Sequence, residues 1–284
     1  MTSPLSYDHL ASELASQGYF ADDTLVTALY LALELGKPLL LEGAPGVGKT
    51  QVAKTLAAVL GRECIRLQCY EGIDASKALY DWDHARQLLH VRVTERGGAV
   101  ETKDLFAAEF MIEMPLLKAL RNPETTVLLI DEIDRADDAF EALLLEFLSE
   151  NQISIPEIGT LTATKPIITI LTSNRTRELH DALRRRCLYH WIDYPDGARE
   201  RAIVEHHAPG IASEAAERLV AAIAGIRRLP LLKKPSTAES IDWAQAAIAL
   251  TRQGHDWPEA LKRSIGLIIK DPEDMAIVQA SGMI

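Results

Sequence analysis

The chain has 284 residues, and its 41 acidic and 30 basic side chains give a formal net charge of −11 at pH 7. Apolar residues make up 48% and charged residues 25%, a globular composition that excludes a disordered chain and a fibrous repeat. The acidic balance argues against a dominant nucleic-acid surface. The three cysteines, Cys64, Cys69 and Cys187, show no C-x-x-C spacing, which argues against a disulfide scaffold and a zinc site.

The sequence predicts neither a secretory signal nor a membrane span. Its first residues, MTSPLSYDHLASELASQ, lack a basic flank followed by an apolar core. No apolar run reaches the ~18 residues that a spanning helix needs. We therefore expect a reduced, soluble protein of the cytoplasm.

The spacing of apolar residues predicts alternating helices and strands up to about residue 195, and helices alone from there. Strands are predicted at 38–42, 62–69, 126–130, 166–174 and 188–194, with hairpins at 90–100 and 153–164. Helices are predicted at 6–17, 22–35, 49–60, 104–121, 138–150, 176–187, 197–207, 213–228, 237–252 and 257–270. This order predicts an α/β fold, a three-layer parallel sheet over 1–195 followed by a small all-helical domain over 196–284.

A complete G-x-x-x-x-G-K-[ST] pattern follows the first predicted strand and precedes a helix, where a phosphate-binding loop belongs. Glycines let backbone N–H groups turn toward a phosphate, and the helix N-terminus adds a positive end. In this interpretation Lys49 reaches the β- and γ-phosphates, and the Thr50 hydroxyl is a ligand of Mg²⁺. The pattern comprises Gly43, Ala44, Pro45, Gly46, Val47, Gly48, Lys49 and Thr50.

Two carboxylates end the apolar strand VLLI, at the edge of a parallel sheet where ligands bind. Asp131 is predicted to hold Mg²⁺ through water, and Glu132 to act as the general base toward the attacking water. Further along the chain, Asn174 ends another strand, where its amide could bond that water or serve only as a turn residue.

Three consecutive arginines, Arg184, Arg185 and Arg186, precede the last predicted strand. They suit a cationic helix C-terminus, which the helix dipole favours. They also suit an arginine finger that reaches the γ-phosphate of a neighbouring subunit and stabilises charge in the transition state, although the residues alone favour the first interpretation.

With these elements in this order, the chain resembles the AAA+ ATPase superfamily. DEIDRA followed by EALLLEFLSENQISIPE resembles the MoxR family, and the stretches LQCYEGIDASKALYDWD and LTSNRTRELHDALRRRCLYHWIDYP are similar to its CoxD-like branch. The resemblance identifies the loop as Walker A, Asp131 and Glu132 as Walker B, and Asn174 as sensor 1. It favours Arg186 as the finger, with Arg185 second, and places adenine contacts at Tyr19 and Phe20.

The resemblance also implies a helix-2 insert at about 83–104 and a pre-sensor-1 hairpin at about 152–165, both facing a client or partner in relatives. It exposes one departure from the family. The stretch KKPSTAE holds Ala238 or Glu239 where relatives carry a sensor 2 arginine. Arg227, Arg228 or Lys234 could substitute for this arginine. Alternatively, the helical domain over 196–284, which corresponds to the family's lid, could sense nucleotide weakly.

The resemblance implies ATP and Mg²⁺ as cofactors and a homo-oligomeric ring, usually a hexamer, that remodels a protein client. CoxD-like relatives mature molybdenum-containing hydroxylases, commonly with a von Willebrand A-domain protein. Two alternatives stay open. The missing sensor 2 arginine fits a nucleotide-gated scaffold that hardly turns over. A nucleic-acid motor is disfavoured by the charge of −11, so neither nucleic acid nor membrane is an expected partner.

Overall fold

The computed structural model describes residues 6–94, 105, 107–155 and 159–283. Its strands all lie before residue 193. They are β1 (Leu39–Gly43), β2 (Glu63–Gln68), β3 (Tyr80–Trp82), β4 (Met111–Glu113), β5 (Thr126–Asp131), β6 (Gln152–Ile155), β7 (Gly159–Thr162), β8 (Ile168–Ser173) and β9 (Leu188–Ile192).

Five of these strands form one parallel sheet in the order β2–β5–β8–β1–β9. The inner strands β1 and β5 are buried along their whole length, as expected of apolar strands covered on both faces. Gln68 lies beside Asp131, and Glu42 lies beside Ser173. The strands therefore end at a common edge, and β1 runs there directly into the glycine-rich loop.

Helices flank the sheet strands in sequence and form the whole C-terminal portion. They are α1 (Tyr7–Ser16), α2 (Asp23–Leu35), α3 (Lys49–Val59), α4 (Ala75–Ala78), α5 (His84–Thr94), α6 (Pro115–Arg121), α7 (Asp138–Glu150), α8 (Asp181–Arg184), α9 (Gly197–His207), α10 (Ser213–Arg227), α11 (Thr237–Thr251), α12 (Trp257–Arg263) and α13 (Pro272–Ser281). The predicted fold class, a parallel α/β sheet followed by helices, is confirmed.

The predicted hairpin at 90–100 is wrong in its first half, because residues 84–94 form α5. Asp83 starts this helix, its carboxylate accepting the N–H of Arg86 at 2.9 Å, an N-cap contact that the alternating HVRV pattern hides. Residues 95–104, which complete the predicted insert, lie outside the described residues. The predicted 153–164 hairpin is confirmed in β6 and β7, which pair antiparallel. Residues 156–158 of this hairpin lie outside the described residues.

Three predicted helices are wrong in extent. In the 104–121 segment, β4 pairs antiparallel with β3, and α6 begins only at Pro115, because proline suits the first turn of a helix and breaks its interior. Only α8 is helical within 176–187. The last predicted helix ends at Arg263, and α13 was not predicted.

The chain divides into two compact units. The first unit comprises residues 1–26, 43–55 and 191–284, and the second comprises 27–42 and 56–190. Neither unit is one continuous segment, and the predicted boundary at residue 195 stays a prediction.

The core of the second unit surrounds the apolar strands of the sheet. Leu128 and Ile130 of β5 are fully buried and belong to one cluster with Leu144 and Phe147 of α7. These α7 residues lie three apart, which is the spacing of one helix face. That packing fixes the end of β5, where the two predicted acids lie.

The core of the first unit is formed by its C-terminal helices. Trp243 of α11 is fully buried, and its indole N–H donates to the carbonyl of Leu261 at 3.1 Å. Arg227 also crosses this unit, donating two hydrogen bonds of 2.6 and 2.7 Å to the buried carboxylate of Glu200. Breaking a buried pair leaves an uncompensated charge, so Arg227 is committed to structure.

Candidate nucleotide site

The phosphate loop, residues 43–50, lies in the first unit and has the conformation that its glycines allow. Gly46 and Gly48 adopt φ of +75° and +97°, a region that other residues rarely enter. Lys49, only 6% exposed, turns its ammonium into the loop and donates to the carbonyls of Gly43 and Ala44, each at 2.8 Å. The predicted cation therefore lies inside the loop, and Thr50 follows it in the first turn of α3.

The N-terminus of α11 packs directly on this loop. The N–H of Ala238 donates to the carbonyl of Gly46 at 3.4 Å, and a Cβ at Gly46 would overlap Ser236. Ser236 caps the helix, accepting from the N–H of Glu239, whose carboxylate accepts in return from the Ser236 N–H at 2.8 Å. This capping box fixes the first turn of α11 against the loop.

A cavity of about 250 Å³ opens beside the loop, with walls drawn from the first unit only. Tyr19 and Phe20, the predicted adenine contacts, line it together with Val47 and Ile203. A Cβ at Gly48 would lie 3.5 Å from the Tyr19 ring, so the ring is within van der Waals reach of the loop. Burial raises the pKa of Tyr19, so its phenol stays neutral, as suits a wall for an aromatic base.

The candidates for a substitute sensor 2 do not lie in this cavity. Arg227 is engaged with Glu200, and neither Arg228 nor Lys234 is among the residues that line the cavity. Of the two residues at the sensor 2 position, Ala238 lines the cavity, while Glu239 is buried and accepts a 2.7 Å bond from Lys270. The sensor 2 position itself, Ala238 or Glu239, therefore carries no cationic side chain.

The second unit holds the predicted acids at the end of β5. Asp131 is 2% exposed, and its Oδ2 accepts from Nε and Nη2 of Arg66 at 2.9 and 2.6 Å. Its Oδ1 accepts from the Thr172 hydroxyl at 2.5 Å. Arg66 and Thr172 come from the two strands that flank β5, and they offset the cost of burying this carboxylate.

Glu132 leaves the strand in the left-handed conformation, with φ of +55°. Its N–H donates to the Thr172 hydroxyl at 2.9 Å. Its Oε2 accepts from Gln68 Nε2 at 3.0 Å and from Arg135 Nη1 at 3.1 Å. Within the described part of the chain Oε1 accepts no hydrogen bond, so one oxygen holds the carboxylate in place while the other can take a proton.

Asn174 lies next to these acids because Asp134 joins the two loops. Asp134 is 2% exposed and accepts from the N–H of Asn174 at 3.2 Å, and from the N–H and hydroxyl of Thr176 at 2.8 and 2.7 Å. The loop between them holds Arg175 at a φ of +58°, a conformation that other contacts must stabilise. The structure thus brings together Asp131, Glu132 and Asn174 as predicted neighbours in one unit.

Replacing Asp134 by alanine is expected to cost about 3 kcal/mol of unfolding free energy, because two backbone N–H groups and a hydroxyl lose a buried, charged acceptor. It should also lower any ATPase rate by freeing Asn174. Urea denaturation followed by circular dichroism measures the first effect. Asp138→Ala is the matched control, since its side chain is 78% exposed. Equal stability of the two variants would contradict the role given to Asp134.

The three arginines before β9 differ in how they are held. Arg186 donates to the Ser149 hydroxyl and, at 2.7 Å, to the carbonyl of Ala182. The guanidinium of Arg184 lies 5.8 Å from the Tyr189 ring centre. Arg185 is exposed and has no side-chain partner among the described residues. Of the three, Arg185 is the one whose side chain could extend toward a neighbouring subunit without breaking a contact with the described residues of its own chain.

Arg66, Gln68, Thr172 and Asp134 belong to the site but were not predicted. Arg66 and Gln68 lie two residues apart on an edge strand, so their side chains share one face near its carboxyl end. That pair of polar residues is the feature by which the sequence could have indicated them. Thr172 and Asp134 carried no such signal, because their roles depend on pairing between β5 and β8.

Thr50 in the first unit and Asp131 in the second each carry, taken separately, an oxygen atom of the hard kind that Mg²⁺ prefers. Mg²⁺ is usually held by one or two carboxylates together with substrate phosphates. Such a site needs no dense ligand cluster. Among the residues that the structure describes, no group of three or more His, Cys, Asp or Glu side chains could hold a metal ion alone. Burial raises the pKa of Cys69 to about 12, an effect that Asp131 reinforces, so this thiol carries no charge at neutral pH.

A parallel sheet with a phosphate loop after its first strand and paired acids after another is the arrangement of a P-loop nucleotide-binding fold. The family described as "AAA domain (dynein-related subfamily)" matches residues 38–187. The chain belongs to this family.

Two relatives and two solved structures illustrate its similarity to known proteins. Uncharacterised proteins of Staphylococcus saprophyticus and Staphylococcus haemolyticus are 25% and 26% identical over 182 and 183 residues, which is 62% of this chain. The aligned part spans 63% of the length of each relative. Two mutant forms of RuvB from Thermotoga maritima share the fold, with TM-scores of 0.53 and 0.54 at 20% identity. These matches cover 93% and 95% of this chain, and 73% and 74% of RuvB.

Within the described residues, no helix combines the length and apolar character needed to cross a bilayer.

Proposed function

We propose that the chain binds ATP with Mg²⁺ and hydrolyses it by attack of water on the γ-phosphate. The observation that carries the proposal is the arrangement of Glu132, whose Oε2 is held by Gln68 and Arg135 while Oε1 has no partner among the described residues. A carboxylate held in this way is suited to take the proton of an attacking water.

The other residues supply binding and orientation. The loop N–H groups and Lys49 hold the phosphates, and the Asn174 amide orients the water. Arg66 and Thr172 fix the carboxylate of Asp131, which with Thr50 would hold the metal. Bound Mg²⁺ would neutralise charge on the β- and γ-phosphates.

The more specific role that we propose, beyond ATP hydrolysis, rests on the resemblance to the MoxR family and its CoxD-like branch. We propose that hydrolysis drives remodelling of a protein client in a homo-oligomeric ring, in maturation of a metal-containing hydroxylase. The hairpin of β6 and β7 and helix α5 would contact the client or a von Willebrand A-domain partner. Exposed leucines on α5, Leu88 and Leu89, support a contact role for this helix.

A second candidate function is a nucleotide-gated scaffold with little turnover. The absence of a cationic side chain at Ala238, together with the engagement of Arg227 by Glu200, favours it. The held carboxylate of Glu132 favours the enzyme.

The specific ATPase rate of the chain is expected to rise with protein concentration as a ring assembles, because a finger from a neighbour completes each site. Light scattering on the same samples gives the mass. Arg185→Ala should lower the assembled rate by about 1,000-fold and leave nucleotide binding unchanged. Mixing this variant with Glu132→Gln protein should restore part of the rate.

Arg186→Ala and Arg184→Ala are the controls for this experiment, because both side chains have contacts within their own chain. If Arg186→Ala has the larger effect and is rescued by mixing, Arg186 is the finger. A flat rate from a persistent monomer would contradict a finger acting between subunits and favour the scaffold.

A further inference from the structure

A buried carboxylate that the proposed chemistry does not use lies near the end of β1. Glu42 is 3% exposed and follows three leucines of the same strand. Within the described residues its partners are two hydroxyl groups, Ser173 at 3.3 Å from Oε1 and Tyr189 at 3.1 Å from Oε2. A buried carboxylate without a paired cation contributes little to stability, because its desolvation costs more than two neutral hydrogen bonds return. The position of Glu42 therefore indicates a role other than stability.

The Ser173 hydroxyl connects Glu42 to the loop that follows β8. A carboxylate only accepts hydrogen bonds, so the single hydroxyl proton of Ser173 must point to Glu42. The lone pairs of the Ser173 oxygen are then left to accept the N–H of Arg175, at 3.0 Å. Ser173 is fully buried, so bulk water does not reach that oxygen. Glu42 thus fixes the orientation of the hydroxyl that holds the backbone of Arg175.

The loop that Ser173 holds is the loop of Asn174. Three consecutive backbone N–H groups are bonded there: those of Asn174 and Thr176 donate to Asp134, and that of Arg175 donates to Ser173. Arg175 has a φ of +58°, which a residue other than glycine keeps only where other contacts compensate. The side-chain amide of Asn174 makes no hydrogen bond within the described residues. The backbone of this loop therefore sets the direction of that amide.

Tyr189 holds the other oxygen of Glu42 from the surface of the second unit. Its side chain is 47% exposed, and its phenol reaches the buried carboxylate. Partial burial raises the pKa of Tyr189, and the charge of Glu42 raises it further, so the phenol keeps the proton that it donates. With one donor on each oxygen, the carboxylate is held in the orientation that Ser173 needs.

We propose that Glu42 is a positioning residue for Asn174, acting through the Ser173 hydroxyl and the N–H of Arg175. In this role Glu42 has no contact with the nucleotide or with the attacking water. The inference rests on the proposed function, since it concerns the orientation of that water by Asn174. It predicts that loss of Glu42 slows hydrolysis and leaves ATP binding unchanged.

Glu42→Leu removes the acceptor and places a fourth leucine after the three that precede it in β1. The ATPase rate at saturating Mg-ATP is expected to fall by about 10- to 100-fold, since a misplacement of about 1 Å in a positioning group has effects of that order. The affinity for Mg-ATP, measured by titration calorimetry, should stay within about two-fold of the unmodified chain. Circular dichroism should show that the variant is folded.

Glu42→Gln is the conservative variant. Its amide oxygen can still accept the Ser173 hydroxyl, while its amide nitrogen donates to the phenol oxygen of Tyr189, whose proton can turn to water at the exposed edge. We expect it to keep the ATPase rate within about three-fold. Glu63→Leu is the matched control, because Glu63 begins β2 with an exposed side chain at the opposite edge of the sheet. It should leave both rate and affinity unchanged.

A double-mutant cycle with Asn174→Ala distinguishes positioning from a general structural effect. Asn174→Ala alone should lower the rate by about 10- to 100-fold. If Glu42 acts through Asn174, adding Glu42→Leu should lower the rate by no more than about two-fold further. Should Glu42→Leu not fold, Ser173→Ala breaks the same connection and takes its place in the cycle.

Two losses that multiply in this cycle would overturn the inference. So would a full rate for Glu42→Leu, or a rate for Glu42→Gln as low as that of Glu42→Leu. Glu132→Gln, measured in parallel, separates this failure from failure of the proposed function. If Glu132→Gln and Asn174→Ala lose turnover while Glu42→Leu keeps it, only the role of Glu42 is wrong. If neither Glu132→Gln nor Asn174→Ala lowers the rate, the proposed site itself is wrong, and the inference falls with it.

Discussion

Replacing Lys49 by alanine is expected to abolish measurable ATP binding. The lysine ammonium is buried inside the phosphate loop, where it already bonds two carbonyls. Charge-assisted hydrogen bonds contribute about 1.5–3 kcal/mol each, so losing two to phosphate weakens binding by at least about 100-fold. Titration calorimetry with Mg-ATP measures the change.

Lys54→Ala is the control for Lys49, because Lys54 lies on the same helix with an exposed side chain. It removes the same charge from the chain and should leave affinity within about two-fold. Circular dichroism should show that both variants are folded. Retention of ATP affinity by Lys49→Ala within a few-fold would place the phosphate site elsewhere.

Glu132→Gln has the second large expected effect, a fall in ATP turnover of about 100- to 10,000-fold with ATP binding retained. The amide keeps an oxygen that can accept from Gln68 and Arg135, so the side chain should stay in position. It cannot take the proton of water. Phosphate release measured at saturating ATP, with binding measured on the same sample, separates the two effects.

Glu150→Gln is the control, since this exposed glutamate ends α7, away from the acids at the end of β5. The Glu132 variant also separates the two candidate functions. An ATP-driven remodeller should lose its biological activity together with turnover. A nucleotide-gated scaffold should keep that activity, because it needs ATP bound rather than hydrolysed.

The two predicted sensor positions illustrate how far sequence reasoning extends. Asn174 is predicted to end a strand, and β8 ends at the residue before it. The contact by which Asp134 holds the loop of Asn174 could not be predicted, because Asp134 and Asn174 are 40 positions apart in the chain. In the lid, the sequence indicates that the usual arginine is missing, and only the packing shows Thr237 at the cavity wall.

The errors in element assignment have the same origin. The apolar residues before Pro115 show no clear periodicity that would distinguish a strand from a helix. The β4 strand forms there because β3 is available to pair with it. Strand pairing is decided by partners distant in the chain, and local propensity is a weak guide to it. The α5 helix is the opposite case, in which the local cap at Asp83 outweighs an alternating pattern.

Residues close together in the chain specify the phosphate loop, the acids of β5 and the alternation of strands and helices, and all three could be predicted. Gly46, Gly48 and Lys49 act through the local backbone that their own spacing creates. Long-range packing fixes which side chains hold Glu132, which of the three arginines is exposed, and which residues line the cavity. These features arise from strand register and helix packing, where residues far apart in sequence share one volume and compete for the same hydrogen bonds.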